Sequence, residues 1–484
     1  MAIIRGGHRL PDLPGGPSAS VRADANPTDP DRNTPPEARL MTGPRVVVIG
    51  GGASGTLVAV HLLRRAGAAV SVTVVEPRDV LGQGVAFGTP DPWHRLNVPA
   101  ITMSGLPDDL DHFRTFAGCA PDDFPPRQVF GAYLGALLAD AMGSSPAAFE
   151  HVRDRATGVG DGGARATPLV VALADGRALP ADAVVLATGN ELPRPPAFLH
   201  AVVASGDPRF VADPWAAGSL DGIGPGETAG IVGTGHTALD LAASLLRGHG
   251  VGRVVALSRH GEIPRAHEDP WRPRPSTPAF TVEEFAAFAD PIEEVRARFA
   301  AYPLGWRQAL DSMRPKHREL WLAMDDATRR RFVREHRREW EIHRSRLAPG
   351  VDRDVRAWEA DGRLQLRPAR IDGVEATAAG LRVLTDGGPV DVAHLLLATG
   401  PDESPAASPL LAAVVAAGLA RPGPLDLGID VHPFDYRVRD AAGGETRPLY
   451  ALGPIIRGAV WETIAVPEIR LEAVRLAELI LAGA

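Results

Sequence analysis

Two glycine clusters in this 484-residue chain have the spacing of a phosphate cradle. The first is Gly50-x-Gly52-x-x-Gly55, directly behind the apolar run RVVVI and ahead of a helical run. Gly50 permits a tight turn, Gly52 lets backbone approach a pyrophosphate, and Gly55 lets helix and strand pack closely. The helix that follows aims its free N–H groups and positive dipole end at the same spot. Glu76 ends the next strand and offers a carboxylate to both hydroxyls of an unmodified ribose. The second cluster is Gly233-x-Gly235-x-x-Ala238, alanine being an accepted substitute at the third position. Arg259 stands as far beyond Gly233 as Glu76 stands beyond Gly50, and Ser258 precedes it. A carboxylate there would repel a 2′-phosphate, whereas an arginine beside a hydroxyl binds one. This reading puts a cofactor with a bare ribose in the first site and NADPH in the second; the alternative makes Arg259 an ordinary surface arginine. Two such sites in one chain point to electron transfer, in the order NADPH to flavin.

The elements around the clusters repeat as well. Strand RVVVIG (45–50), helix TLVAVHLLRRAG (56–67) and strand SVTVVEP (71–77) form one βαβ unit. Strand AGIVG (229–233), helix TALDLAASLLRGHG (237–250) and strand RVVALSR (253–259) form another. Residues 169–189 and 381–400 each read as a strand, an Asp-Gly turn, a short strand and an apolar strand ending in ATG. That is the pattern of a small meander feeding a buried parallel strand. The expected fold class is α/β, with two Rossmann-like dinucleotide-binding domains and a helical insertion. The expected division is a disordered tail over 1–42, a first domain over 43–225 and 391–484, and a second over 226–390. The insertion is expected at about 281–361. Its basic stretch RRRFVREHRREWEIHRSR is either a solvated face laced with Glu–Arg pairs or a cap whose arginines face an anionic substrate.

Bulk properties narrow the class. A hydrophobic share of 45% and a charged share of 23% are those of a globular protein. The net charge of -8 argues against a nucleic-acid binder. One cysteine, Cys119, excludes a CxxC redox pair and hence dithiol exchange within one chain. The first forty residues carry no signal-peptide apolar region and no run long enough to span a membrane, so a cytoplasmic protein is expected, with Met41 an alternative start to Met1. No metal site is expected.

Four further segments carry a more particular likeness: GQGVAFGTPDPWHRLNVPAITMSGLPDDLDHF (82–113), SRHGEIPRAH (258–267), HRSRLAP (343–349) and ALGPIIRGAVWETIAVPEIR (451–470). Together they resemble the FAD/NAD(P)-binding flavoproteins that include a bacterial FAD-dependent urate hydroxylase and the nitrosuccinate synthases. The resemblance covers roughly 44–484 and implies FAD held by Gly50, Gly52, Gly55 and Glu76. It places Asn97, Gly453, Thr463, Val466 and Pro467 beside the flavin, with the last helix aimed at the flavin's C2 carbonyl. Where many such flavoproteins have Gly-Asp, this chain has Gly453-Pro454. The implied activity is monooxygenation of a small polar nitrogen-containing substrate, urate-like or an amino acid, with oxygen as co-substrate. Arg314, His317, His343, Arg344 and Arg346 are the candidates for substrate contact; no catalytic residue is assigned. His94 and His112, which flank the flavin-side segment, are either proton relays or bystanders. Two other functions share every cofactor motif: a flavin reductase or oxidase serving quinone, a partner protein or oxygen, and a non-catalytic NADPH sensor.

Overall fold

The apolar run RVVVI becomes the central strand of a five-stranded parallel sheet, which is why it lacks alternation: both faces are covered. The computed structural model describes residues 43–164, 167–271, 277–445 and 447–483. The expected tail and the start at Met41 lie outside the described residues. In chain order the strands are β1 (Arg45–Ile49), β2 (Ser71–Val75), β3 (Ala148–Val152), β4 (Ala156–Ala164), β5 (Thr167–Leu173), β6 (Ala178–Ala181) and β7 (Ala183–Leu186). They continue with β8 (Phe210–Val211), β9 (Thr228–Val232), β10 (Arg253–Ser258), β11 (Leu364–Pro368), β12 (Ile371–Ala376), β13 (Leu381–Thr385), β14 (Val390–Val392), β15 (His394–Leu397) and β16 (Leu449–Ala451).

The first parallel sheet runs β16-β7-β1-β2-β3 and the second β11-β10-β9-β15-β8. Each half adds an antiparallel meander, β4-β5-β6 and β12-β13-β14, so the repeated segments do feed a buried strand. Those buried strands are β7 beside β1 and β15 beside β9. Helix α1 (Ala53–Arg65) buries ten residues against the first sheet, flanked by α2 (Arg127–Ser144) and the last helix, α4 (Val466–Ala482). Helix α3 (His236–Ala243) has the equivalent place on the second sheet.

Two expected boundaries move. β8 and β15 hydrogen-bond into the second sheet, so that lobe takes Phe210–Val211 and runs past 390 to His394–Leu397. The helix Pro349–Ala360, expected as part of the insertion, instead packs Val355 and Trp358 into the second lobe's core. The insertion proper is therefore Val282–Arg344. Its apolar residues Ile292, Trp321 and Phe332 close on Leu427 and Trp461, which lie well beyond it in the chain. Among the described residues no helix is long and apolar enough to cross a membrane.

The lobes are joined by a polar seam. Arg127 at the start of α2 donates to Asp240 on α3 at 2.5 Å. His94 Nε2–H points at the Asp240 carbonyl (3.2 Å) and the Ser244 hydroxyl (2.8 Å), while the Thr89 hydroxyl donates to Nδ1 (2.7 Å). Burial raises the Asp240 carboxyl to about 6 in spite of Arg127, and the same burial lowers His94 to about 4, with Arg127 adding to it. Removing one partner of such a pair strands the other charge. Asp240→Ala is expected to cost about 3 kcal/mol in urea unfolding, and the double variant Arg127→Met/Asp240→Leu to recover most of it. A loss under about 1 kcal/mol in the single variant would show that the seam does not hold the lobes.

Candidate functional site

Each glycine of the first cradle meets a different constraint. Gly50 has φ +105°, and a Cβ there would lie 2.4 Å from the Ala187 carbonyl oxygen. A Cβ on Gly55 would lie 1.9 Å from the oxygen of Gly50. A Cβ on Gly52 would meet only the Gly84 Cα, at 3.7 Å, so the space before Gly52 is held open by backbone geometry alone. Helix α1 begins there with no side-chain cap and no acid in its first turn, leaving its N–H groups for an anion. Glu76 is buried at the strand end, accepting from Gly51 N–H (2.8 Å) and Arg78 N–H (3.1 Å). Gly453, with φ +83°, sits so close that a Cβ would fall 2.7 Å from Ser54 Oγ. The chain's late segment is thereby seated on the first turn of α1.

The second cradle repeats the geometry. A Cβ on Gly233 (φ +122°) would lie 2.2 Å from the Ala398 oxygen, and one on Gly235 would meet nothing within 4 Å. Ala238 is fully buried against the sheet, and α3 likewise starts without a cap or an acid. The Ser258 hydroxyl is shared with Thr234 Oγ1 (2.9 Å) and accepts from Gly261 N–H (3.0 Å). Arg259 is exposed at the end of β10, next to Ser258, with no hydrogen bond or ion pair to another described residue.

The four particular segments, far apart in sequence, close on one another. His267 Nε2–H donates to the Asn97 carbonyl (2.9 Å), tying SRHGEIPRAH to LNVPA. Leu347 and Arg265 join HRSRLAP to SRHGEIPRAH by backbone hydrogen bonding. Arg344 reaches Glu462 (3.0 Å) and Glu468 (3.7 Å) in the last segment. The next residue, Ser345, accepts at its carbonyl from His236 Nε2–H at the first position of α3 (2.9 Å). The stretch Arg344–Ser345 thus touches the start of α4 and the start of the second cradle's helix together.

The five candidate contact residues divide. Arg314 pairs with Glu468 at two points, 2.5 and 2.9 Å. His317 lies edge-on to Trp340, 5.2 Å between ring centres, and its two ring nitrogens have no partner. Burial, then the adjacent Arg344 and Arg314, push this imidazole down to about 3, so it is neutral at pH 7. Arg314, His317 and Arg344 therefore form one cluster with Glu462 and Glu468. His343 and Arg346 stand apart: His343 meets Trp306 and the Glu339 carbonyl, and Arg346 forms a two-point pair with Asp311 at 2.9 Å.

Other expectations change at atomic detail. The Thr463 hydroxyl donates inward to the buried Glu472 (2.8 Å), so its proton is committed within the protein. Val466 and Pro467 open α4, and the first-turn acid Glu468 is turned toward the arginines. The Asn97 side-chain amide is half-buried and has no internal hydrogen bond. His94 serves the seam, and His112 Nδ1 meets the Tyr133 hydroxyl (3.0 Å); neither is placed as a relay. Glu462, Glu468, Trp340 and Thr234 were not singled out from the sequence. The acids had a signal: Glu468 and Glu472 are spaced like Arg314 and Arg318, and the pairs match rung for rung, Arg318 meeting Glu472 at 2.8 Å. With the Trp321–Trp461 stack (4.9 Å), this clamp fastens the insertion to the last segment. Most arginines of the basic stretch likewise find acids, as Arg337 does by sharing Glu341 and Glu403 with Arg457 of the last segment.

Residues 47–191 match a family model described as FAD-NAD(P)-binding. Solved structures share the fold. An ornithine hydroxylase from Pseudomonas aeruginosa aligns with a TM-score of 0.60 at 15% identity, over 91% of this chain and 99% of its own. An L-lysine 6-monooxygenase from Pseudomonas syringae aligns with a TM-score of 0.61 at 15% identity, over 91% and 100%. An ornithine N-hydroxylase from Kutzneria sp. 744, solved with reduced FAD, NADP+ and L-ornithine, aligns with a TM-score of 0.56 at 17% identity, over 91% and 99%. No curated protein sequence matches the chain. The α/β architecture with two Rossmann-like lobes is therefore shared with these solved structures, at identities that speak to fold.

Acid tests the buried imidazoles. Burial holds His61, His94 and His267 at about 4 and His317 at about 3, below the free value of 6.5. Their neutral forms stabilise the folded state above pH 6.5, and that contribution is lost as pH falls toward each folded value. Each adds a slope of up to about 1.4 kcal/mol per pH unit in that window. The urea midpoint is expected to drop steeply between pH 6.5 and pH 4.5, and His267→Gln to flatten the drop. A midpoint unchanged over that range would mean that these histidines are hydrated.

Proposed function

We propose that the first cradle holds FAD, the second holds NADPH, and the chain is a monooxygenase that hydroxylates a small polar nitrogen-containing substrate, urate-like or an amino acid. The observation that carries this reading is the mutual contact of four distant segments, one of which sets Arg344 and Ser345 between the start of α4 and the start of the second cradle's helix. Arg344 and Ser345 contact the starts of α4 and α3, and Gly453 rests on the start of α1. The starts of α4 and α3 thus stand beside the cluster, where helix N-termini favour negative charge. The chemistry supplied by a bound flavin is hydride acceptance from a reduced nicotinamide and activation of dioxygen.

The protein's own work is placement. The open backbone at Gly52 and Gly235 receives the two pyrophosphates. Arg259 supplies the charge for a 2′-phosphate. The unpartnered Asn97 amide is available to a ring edge. The clamp of Arg314–Glu468 and Arg318–Glu472 keeps the insertion closed, which excludes the water that would divert oxygen transfer to peroxide. The neighbours named as hydroxylases of ornithine and lysine support a nitrogen as the atom oxidised, and the absence of a cysteine pair removes disulfide reduction as a competing use of the fold. Such a protein would work in the cytoplasm, where NADPH is supplied.

The deciding experiment follows NADPH consumption by the purified yellow protein, with peroxide titrated alongside, against urate, aspartate, ornithine and lysine. One compound is expected to accelerate consumption while the peroxide yield falls. Consumption matched by peroxide for every compound would favour a reductase or oxidase, and a flavin that NADPH fails to bleach without oxygen would favour a sensor. Arg259→Glu is expected to raise the KM for NADPH about tenfold or more, the worth of one charge-assisted contact, and to leave NADH unaffected or improved. Equal KM values for NADPH in variant and parent would remove Arg259 from the site.

A further inference from the structure

The turn behind β10 folds back on the second cradle. Ser258 Oγ accepts from Gly261 N–H (3.0 Å), and Thr234 Oγ1, between Gly233 and Gly235, donates to the Glu262 carbonyl (2.6 Å). Glu262 is thereby fixed beside the cradle, and its carboxylate pairs with Arg338 of the insertion helix Arg337–Arg344. Arg338 has no other partner among the described residues, and its side chain is 46% exposed, so most of its N–H groups are open to a ligand. Its guanidinium also lies near enough to the exposed His260 ring to hold that imidazole below its ordinary pKa, ahead of partial desolvation and of Arg259 next to it. Two guanidiniums from distant parts of the chain, Arg259 and Arg338, thus flank the turn 258–262, and Glu262 answers only one of them. Neighbouring arginines of the same helix are matched more fully, Arg337 having both Glu341 and Glu403. Like charges gathered at one edge repel until an anion joins them.

We propose that Arg338 is a second arginine of the 2′-phosphate seat, gripping that phosphate together with Arg259, an inference that rests on NADPH occupying the second cradle. A phosphate monoester carries about -1.5 to -2 charge at pH 7 and three acceptor oxygens, more than one guanidinium satisfies. Glu262 both positions Arg338 at the strand end and competes with the phosphate for it. The same helix sends Trp340 and Arg344 to Glu462, at 2.8 and 3.0 Å, so a phosphate held by Arg338 also steadies the insertion on the last segment. NADH lacks the group that Arg338 reads. The insertion therefore takes part in choosing the cofactor, which the glycine motif and Arg259 alone do not convey.

Calorimetric titration of the full-length protein with adenosine 2′,5′-bisphosphate and with 5′-AMP tests this, because the two probes differ by the 2′-phosphate alone. The parent is expected to bind the bisphosphate at least about tenfold more tightly than 5′-AMP. Arg338→Ala is expected to weaken the bisphosphate about tenfold and to leave 5′-AMP unchanged. Glu262→Gln is expected to act in the opposite sense, tightening the bisphosphate about threefold by removing the competing carboxylate. A gain of affinity does not arise from a damaged fold, so Glu262→Gln decides if Arg338→Ala does not fold. A parent that prefers the bisphosphate, with Arg338→Ala keeping the whole preference, overturns the role of Arg338 alone. So does equal weakening of both probes in Arg338→Ala, or a bisphosphate affinity that Glu262→Gln leaves level or lowers. A parent without any preference overturns the NADPH reading, and the role of Arg338 with it.

Discussion

Two carbonyl oxygens organise this molecule. Those of Ala187 and Ala398, at the ends of β7 and β15, press against Gly50 and Gly233 so closely that no side chain fits between. Everything that receives a ligand follows from that approach. It turns the chain sharply out of β1 and β9, aims α1 and α3 back over the sheet, and leaves their N–H groups pointing into open space. The repeated ATG is thus the other half of each glycine motif, the strand end on which the turn is folded.

Around this frame the protein places charge where water is scarce. The insertion is held by Arg314–Glu468, Arg318–Glu472 and the arginines that share Glu341 and Glu403. Buried pairs of this kind contribute little net stability, but they penalise any arrangement that separates them. Their value here is register: they set the insertion on the last helix in one position. The buried His317 in the same interior is neutral, so it brings no added positive charge to Arg314 and Arg344 at neutral pH.

What the sequence made legible was local. The glycine spacing, the acid or arginine at the next strand end and the two meanders are patterns within a few dozen residues, and each became the element expected. The contacts of the insertion with the last segment were not legible, because the two partners lie more than a hundred residues apart, as with Arg314 and Glu468 or Trp340 and Glu462. Only the equal spacing of Glu468 and Glu472 with Arg314 and Arg318 hinted at a match. The same limit explains Thr463, whose hydroxyl serves Glu472, and Arg314, whose partner Glu468 lies far along the chain. The second lobe's boundary was misplaced because β15 reads like a return to the first sheet, while its hydrogen bonds go to β9.

The seating of Gly453 on Ser54 has a consequence for synthesis. β16 and α4, which complete the first lobe, leave the ribosome after the second lobe, which has all its strands once residue 397 has emerged. The lobe begun first is finished last. Until then β7 presents a bare apolar edge, and the face of α1 that α4 will cover stays exposed. A nascent chain stalled between about 400 and 450 would thus carry a finished lobe beside a half-built one, and that interval is when a holding chaperone has something to hold.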